Sequence, residues 1–381
     1  MTDTVNPFRY GGLVESEDFC NRDRELRDLR RAATNCQRLF LYSERRMGKT
    51  SLVMKVLSGL SRKSFLSAYV DLWPTDDASS FVAALAKSLS EAGGSRAEKA
   101  FETAKSLFSN LKPALTLDQS GNPSLQFGAT PYAIPEPDLR EALEAAQSIA
   151  SKRNRKVVVV LDEFQRVAEY DDDTVERTLR SVIQSHKDVA YLFLGSRKHL
   201  IRSMFLDAGR PLYRSATHYP LQPIESKHWI GFISSRFEHE GRSITTPVVE
   251  RLCALTDGHP FYTQYLAHAL WELTPVGETA HDARIEAALD LLLDRESYAY
   301  MMLWDSLTMN QQRLLRGFAL AGDDLAPFSG EFARKFGLST PANTQSAVKG
   351  LLARDIIDRE EGSFVIIDRF LKLWVRRTFG K

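Results

Sequence analysis

Ser43-Glu44-Arg45-Arg46-Met47-Gly48-Lys49-Thr50 follows an apolar run at 38–42 and opens a segment, 50–61, whose apolar residues recur at helical spacing. The stretch matches G-x-x-x-x-G-K-[ST] at every defined position except the first, where serine replaces glycine, and a strand before with a helix after is the context this pattern needs. In such a loop successive backbone N–H groups and the N-terminus of the next helix cradle phosphate. Lys49 is then the residue that reaches the β and γ phosphates, and Thr50 the hydroxyl ligand of Mg²⁺. At the first bend glycine permits backbone angles that Ser43 resists.

Working outward, the β-branched run 157–161 reads as a strand buried on both faces of a parallel sheet, and Asp162-Glu163 stand at its end. One carboxylate there holds metal and the next activates water, so Asp162 is the candidate metal ligand and Glu163 the candidate base. Read without the phosphate loop, the same pair is a helix cap. Gly195-Ser196-Arg197 end a third strand, 191–195, where a polar side chain can sense a γ-phosphate or simply shape a turn. Arg210 and Arg214, ahead of a strand at 218–221, are either cations presented to a neighbouring subunit's nucleotide or structural arginines.

Helices at 24–33, 81–91, 96–110, 138–152 and 174–186 alternate with these strands and with one at 65–72, interrupted by a hairpin near 113–129 in which Leu115 and Leu117 face Leu125 and Phe127. The alternation stops near Pro223, and helices follow at 226–240, 247–256, 260–273 and 282–294. From 309 the order helix 310–321, helix 330–336, helix 341–354, strand 356–359, turn 360–362, strand 363–367 and helix describes a winged helix-turn-helix. The fold class is therefore α/β, a P-loop parallel-sheet core over 1–222, followed by a helical lid over 223–308 and a C-terminal winged helix over 309–381.

Composition sets limits. The 381 residues carry 50 Lys+Arg against 49 Asp+Glu and are 43% hydrophobic, which excludes a disordered chain and one that binds polyanions by bulk charge. Three scattered cysteines offer neither a disulfide framework nor a zinc site and read as buried, reduced thiols. No apolar run approaches the roughly 20 residues of a membrane span, and the polar start is no signal peptide, so a cytoplasmic protein with no membrane partner is expected. Met301-Met302-Leu303-Trp304 reads as core. In the recognition helix Asn343, Ser346 and Lys349 point outward, the wing tip carries Glu360 and Glu361, and Arg369, Lys372 and Arg376 recur on one face of the last helix. Residues 309–381 thus read as either a duplex-DNA or a protein-docking unit.

With these residues in view, the chain resembles the archaeal-ATPase-like family of P-loop proteins, near the STAND ATPases and the Orc/Cdc6-like AAA+ ATPases. Arg45-Arg46-Met47-Gly48-Lys49-Thr50-Ser51-Leu52 is similar to that family's Walker A and Leu161-Asp162-Glu163-Phe164-Gln165 to its Walker B. Asn6-Pro7-Phe8 and Phe19-Cys20-Asn21-Arg22-Asp23-Arg24-Glu25-Leu26 look like its N-terminal boxes, Gly195-Ser196 like its sensor-one strand end, Arg210-Pro211-Leu212-Tyr213 like the segment before its last core strand, and Gly258-His259-Pro260 like its lid motif. The resemblance implies an ASCE/AAA+-like core, ATP and Mg²⁺ as ligands, hydrolysis, and nucleotide contacts from Phe8, Asn21, Arg22, Glu44, Met47, Ser51, His259 and Pro260 besides the residues above. The function expected is an ATP-hydrolysing switch coupled to self-association or to DNA or protein binding. Its alternatives are a nucleotide-stabilised signalling scaffold and a DNA-binding regulator with little turnover.

Overall fold

The computed structural model describes residues 5–14, 19–93, 97–108, 111–117, 122–127, 136–239, 241–321, 328–338, 340–360 and 363–380. The chain divides into two compact units, Arg22–Gln222 and Met1–Asn21 together with Pro223–Lys381. The N-terminal stretch therefore groups with the C-terminal residues and not, as expected, with the core.

Unit Arg22–Gln222 runs α1 (Asp23–Thr34), β1 (Arg38–Tyr42), α2 (Lys49–Ser58), β2 (Phe65–Asp71), α3 (Ala78–Gly93), α4 (Ala97–Leu107), β3 (Pro113–Leu117), β4 (Pro123–Phe127), α5 (Glu136–Arg153), β5 (Lys156–Asp162), a 3-10 turn (Phe164–Glu169), α6 (Thr174–Ile183), β6 (Val189–Gly195), α7 (Lys198–Leu206) and β7 (Thr217–Pro220). Five strands form one parallel sheet in the order β2-β5-β6-β1-β7. Burial on both faces explains the near-continuous apolar runs of β5 and β6. Along these strands the two-residue alternation sends Val157, Val159, Leu161, Tyr191 and Phe193 into a core with Phe81, Leu85, Leu143 and Leu179. Val158, Val160, Leu192 and Leu194 are buried on the opposite face, and α1 packs on β6 and α2 with Leu29, Ala32 and Ala33 inward.

The hairpin forms in a different register from the one expected. Leu115 pairs with Leu125, but Leu117 lies opposite Pro123 and Phe127 opposite Pro113. Leu125 closes over Ala100 and Ala104 of α4, and Phe127 meets Phe108 edge-on at 5.8 Å. Leu115 and Leu117 stay exposed. The hairpin's turn at 118–121 and residues 128 and 129 lie outside the described residues.

The other unit holds α8 (Ser226–His239), β8 (Ser243–Ile244), α9 (Thr246–Thr256), α10 (Pro260–Glu272), β9 (Thr279–Ala280), α11 (Asp282–Asp305), α12 (Met309–Leu320), α13 (Gly330–Phe336), α14 (Pro341–Ala353), β10 (Ile357–Glu360), β11 (Ser363–Ile366) and α15 (Arg369–Phe379). Side-chain caps fix most of the winged-helix starts: Thr308 forms a capping box with Gln311, and Ser329, Thr340 and Asp368 accept from backbone N–H groups of α13, α14 and α15. One hydrophobic core runs from Trp229 and Leu270 through Leu292 to Leu314 and Trp374, so packing does not break at the expected 308 boundary. Phe370 of α15 reaches Tyr262 at 5.1 Å and Tyr265 at 5.8 Å. The helix expected to end at 294 continues to Asp305, leaving Met301 and Met302 exposed and not in the core. Residues 361 and 362 of the expected wing turn lie outside the described residues. Cys20 and Cys253 are buried and Cys36 half-buried, and none of the three is in a disulfide. Among the described residues no helix is long and apolar enough to cross a membrane.

His186, after α6, gives the sheet unit a pH dependence. Its Nδ1 lies 2.8 Å from the Tyr191 hydroxyl, and burial, helped by the Arg38 guanidinium, holds its pKa down to about 4. A folded-state value below the unfolded one means the folded state binds fewer protons, so stability is lost as pH falls from about 6.5 towards about 4. Denaturant unfolding at about pH 7 and about pH 4.5 should show a His-linked loss of roughly 2 to 3 kcal/mol that His186→Gln abolishes; equal acid sensitivity in the two proteins refutes this.

Candidate functional site

The loop between β1 and α2 is anchored where the Ser43 N–H donates to the Gly195 carbonyl at 3.3 Å. Its left-handed residues are Arg46 (φ 61°) and Gly48 (φ 85°), with Ser43 not among them, so the first bend has no need of glycine's freedom. Gly48 is the N-cap of α2, whose first turn carries no acidic residue, so the helix dipole there favours an anion. Lys49 is buried and donates from Nζ to the Glu44 carbonyl at 2.7 Å, the Ser43 hydroxyl at 3.1 Å and the Ser43 carbonyl at 3.3 Å. Desolvation pushes its pKa down to about 8, against the pull of Glu163, Asp162 and Glu44.

Opposite the loop, the Thr50 hydroxyl donates to Asp162 Oδ2 at 2.7 Å. The Tyr69 hydroxyl of β2 donates to the same oxygen at 2.6 Å, and Oδ1 accepts from the Glu163 N–H at 2.8 Å. Burial, with Asp162 beside it, raises the Tyr69 phenol well above its ordinary value. A hydroxyl and a carboxylate in contact form the hard-oxygen donor set that Mg²⁺ takes when phosphates and water complete its shell. Glu163 sits at φ 53°, and its Oε2 accepts from the Ser196 hydroxyl at 2.7 Å and from the Gln165 amide. The strand order brings these groups together, because β6, which Ser196 directly follows, lies between β1 and β5.

The arginines form an outer layer. Glu169 pairs with both Arg166 and Arg197, and Lys198 pairs with Glu44 at 3.4 Å. Trp73, half-exposed, lies under the guanidinium groups of Arg45 at 5.8 Å and Arg166 at 5.7 Å. Arg210 pairs with Glu176, a buried carboxyl that desolvation raises and Arg210 lowers. Arg214 lies over Tyr213 at 5.1 Å. Tyr69 and Lys198 escaped the sequence reading, and Gln165 entered it only within the Walker B-like stretch. Lys198 directly follows Gly195-Ser196-Arg197, whereas Tyr69 comes from a distant strand.

Arg22 caps α1 from a left-handed conformation (φ 86°) and pairs with Glu25 at 3.0 Å. Asn21, Phe8, His259 and Pro260 belong to the other unit. There the Phe8 ring is buried against Phe237 at 5.7 Å, within the unit's own core. Asn21 holds φ 58°, a left-handed angle that asparagine tolerates. His259 is buried at the N-cap of α10, followed by Pro260 at the first helical position. At Gly258 (φ 63°) a Cβ would lie 2.2 Å from the Ile224 carbonyl oxygen, so the motif's glycine is sterically obligatory.

Residues 19–266 match a family model described as an ATPase domain predominantly from Archaea. The chain belongs to this family. As an archaeal-type ATPase it binds and hydrolyses ATP. Residues 298–377 match a probable winged helix domain, which includes the C-terminal third of α11. Among solved structures, a Walker-type ATPase of Pyrococcus abyssi is similar at 17% identity and TM-score 0.65, over 96% of this chain and 98% of that one. The ORC2 protein of Aeropyrum pernix, in a structure of its ADPNP-ADP complexes, is similar at 12% identity and TM-score 0.50, over 100% of this chain and 98% of that one. At these identities the likeness is one of fold. A comparison with curated proteins gives no match.

The Arg210–Glu176 pair sets a test of whether Arg210 is a structural arginine or a cation presented to a neighbouring subunit's nucleotide. Arg210→Met leaves a buried carboxyl without its cation and should destabilise the ATPase by about 2 kcal/mol, discounted for Arg210's partial exposure. Adding Glu176→Leu should return most of that loss in denaturant unfolding. A single variant as stable as the parent would release Arg210 for a role at the nucleotide.

Proposed function

We propose that this ATPase hydrolyses ATP with Mg²⁺ at the site built on β1, β5 and β6, and that nucleotide state governs engagement of a partner by the winged helix. The observation that carries the reading is the 2.7 Å hydrogen bond from Thr50 to Asp162, which unites the two halves of a nucleotide-metal site. Thr50 and Asp162 are the residues that would hold Mg²⁺, which supplies charge neutralisation for the phosphates. Lys49 would exchange its three intraloop acceptors for phosphate oxygens, relieving the cost of a buried ammonium. Backbone N–H groups of 45–49 would complete the cradle. Glu163 would take a proton from water as that water's oxygen bonds to the γ-phosphorus, the bridge to the β-phosphate breaks, and ADP and phosphate leave.

For the output element, the exposed Asn343, Ser346 and Lys349 of α14 form the proposed contact face. The stripe expected on α15 gives less support to a phosphate-binding role, because Arg369 is buried, paired with Asp257 at 3.2 Å and bonded to the Ile367 carbonyl. Duplex DNA and self-association are the two partners to be tried first.

Three measurements on the full chain test the reading. Chelating Mg²⁺ with EDTA should abolish turnover. Glu163→Gln should lower kcat by at least about 100-fold while ATP remains bound, and Lys49→Ala should lose ATP-induced thermal stabilisation. An ATP affinity unchanged in the Lys49 variant would remove the phosphate-loop assignment.

A further inference from the structure

Glu163 carries two oxygens, and the fold treats them differently. Oε2 accepts from both Ser196 Oγ, at 2.7 Å, and the Gln165 amide, whereas Oε1 has no hydrogen-bond donor among the described residues. Gln165 is almost wholly buried, and its Nε2 also lies 3.4 Å from Ser196 Oγ, so amide, hydroxyl and carboxylate close a triangle. The amide's own carbonyl, Oε1, is buried without a hydrogen-bond partner, an arrangement that costs free energy and is not what packing alone would select. Residue 195 beside it is glycine: a Cβ there would lie 3.0 Å from Gln165 Oε1 and 2.9 Å from Ile201, crowding both.

We infer that Gln165 is a positioning residue for hydrolysis: with Ser196 it saturates Oε2 of Glu163 and so leaves Oε1 as the oxygen that receives the proton of the attacking water. The inference rests on Glu163 being the base. A carboxylate held through one oxygen cannot rotate to bring the other into its place, and loss of such orientation costs rate without costing ground-state binding. Ser196 alone leaves the carboxylate free to turn about a single hydrogen bond; the second donor, from a neighbouring element, removes that freedom.

The test compares parent, Gln165→Met, Gln165→Glu and Glu163→Gln as full-length proteins. It reads kcat, KM, the Kd of a non-hydrolysable ATP analogue with Mg²⁺, and the thermal midpoint. Gln165→Met keeps the volume and removes the donor, and Gln165→Glu keeps the shape and puts an acceptor where the donor was. Both should lower kcat by about ten- to a hundredfold while the analogue's Kd stays within about twofold; if the methionine variant does not fold, the glutamate variant decides. Unchanged kcat overturns the inference, as does a fall in kcat matched by an equal loss of analogue affinity. Turnover surviving in Glu163→Gln would remove the base itself and the inference with it. Turnover lost there but intact in the Gln165 variants would remove the inference alone.

Discussion

The hydrogen bond from Thr50 to Asp162 joins two segments more than a hundred residues apart, and it forms only because a parallel sheet delivers its strand ends to one edge. Interposing β6 between β1 and β5 does more than separate the two motifs. It brings a third strand end, Gly195-Ser196, between them, and the register that sets Tyr42 opposite Gly195 and Leu161 opposite Phe193 fixes how far each end projects. The loop is tied to this edge through the Ser43 N–H and Gly195 carbonyl, and Glu163 through the Ser196 hydroxyl. Cation, hydroxyl and two carboxylates are thus held by one sheet rather than by separate loops.

Much of that edge was legible in the sequence, since the loop pattern and the Asp162-Glu163 pair are local and their chemistry dictates the residue types. Strand order was not, because nothing within a strand records its neighbour across a crossover. Tyr69 illustrates the gap: its hydroxyl reaches Asp162 only through the pairing of β2 with β5, in which Tyr69 lies opposite Val160. Ser43 shows the opposite failure. The glycine position in the pattern suggested a demanding backbone angle, yet the positive φ falls on Arg46 and Gly48.

In the C-terminal unit the element order was legible from turn and capping residues, and the faces of the elements were less so. Helical spacing groups Arg369 with Lys372 and Arg376 but does not say what packs on that face; Asp257 takes Arg369 out of solvent. Likewise the polar run Arg295-Glu296-Ser297 ends an apolar pattern without ending a helix, because a helix with one solvated face needs no apolar residue there. Trp374 Nε1 donates to the Ser297 hydroxyl at 3.2 Å, so that polar run itself contributes to packing between α11 and α15.

The ammonium of Lys49 is satisfied by its own loop, through two carbonyls and a hydroxyl. Those acceptors are an internal competitor, and the affinity of any phosphate ligand that takes this cation is the difference between two sets of hydrogen bonds around it. In the mechanism proposed for this site, Lys49 gives up the same three acceptors whichever phosphate ligand it takes.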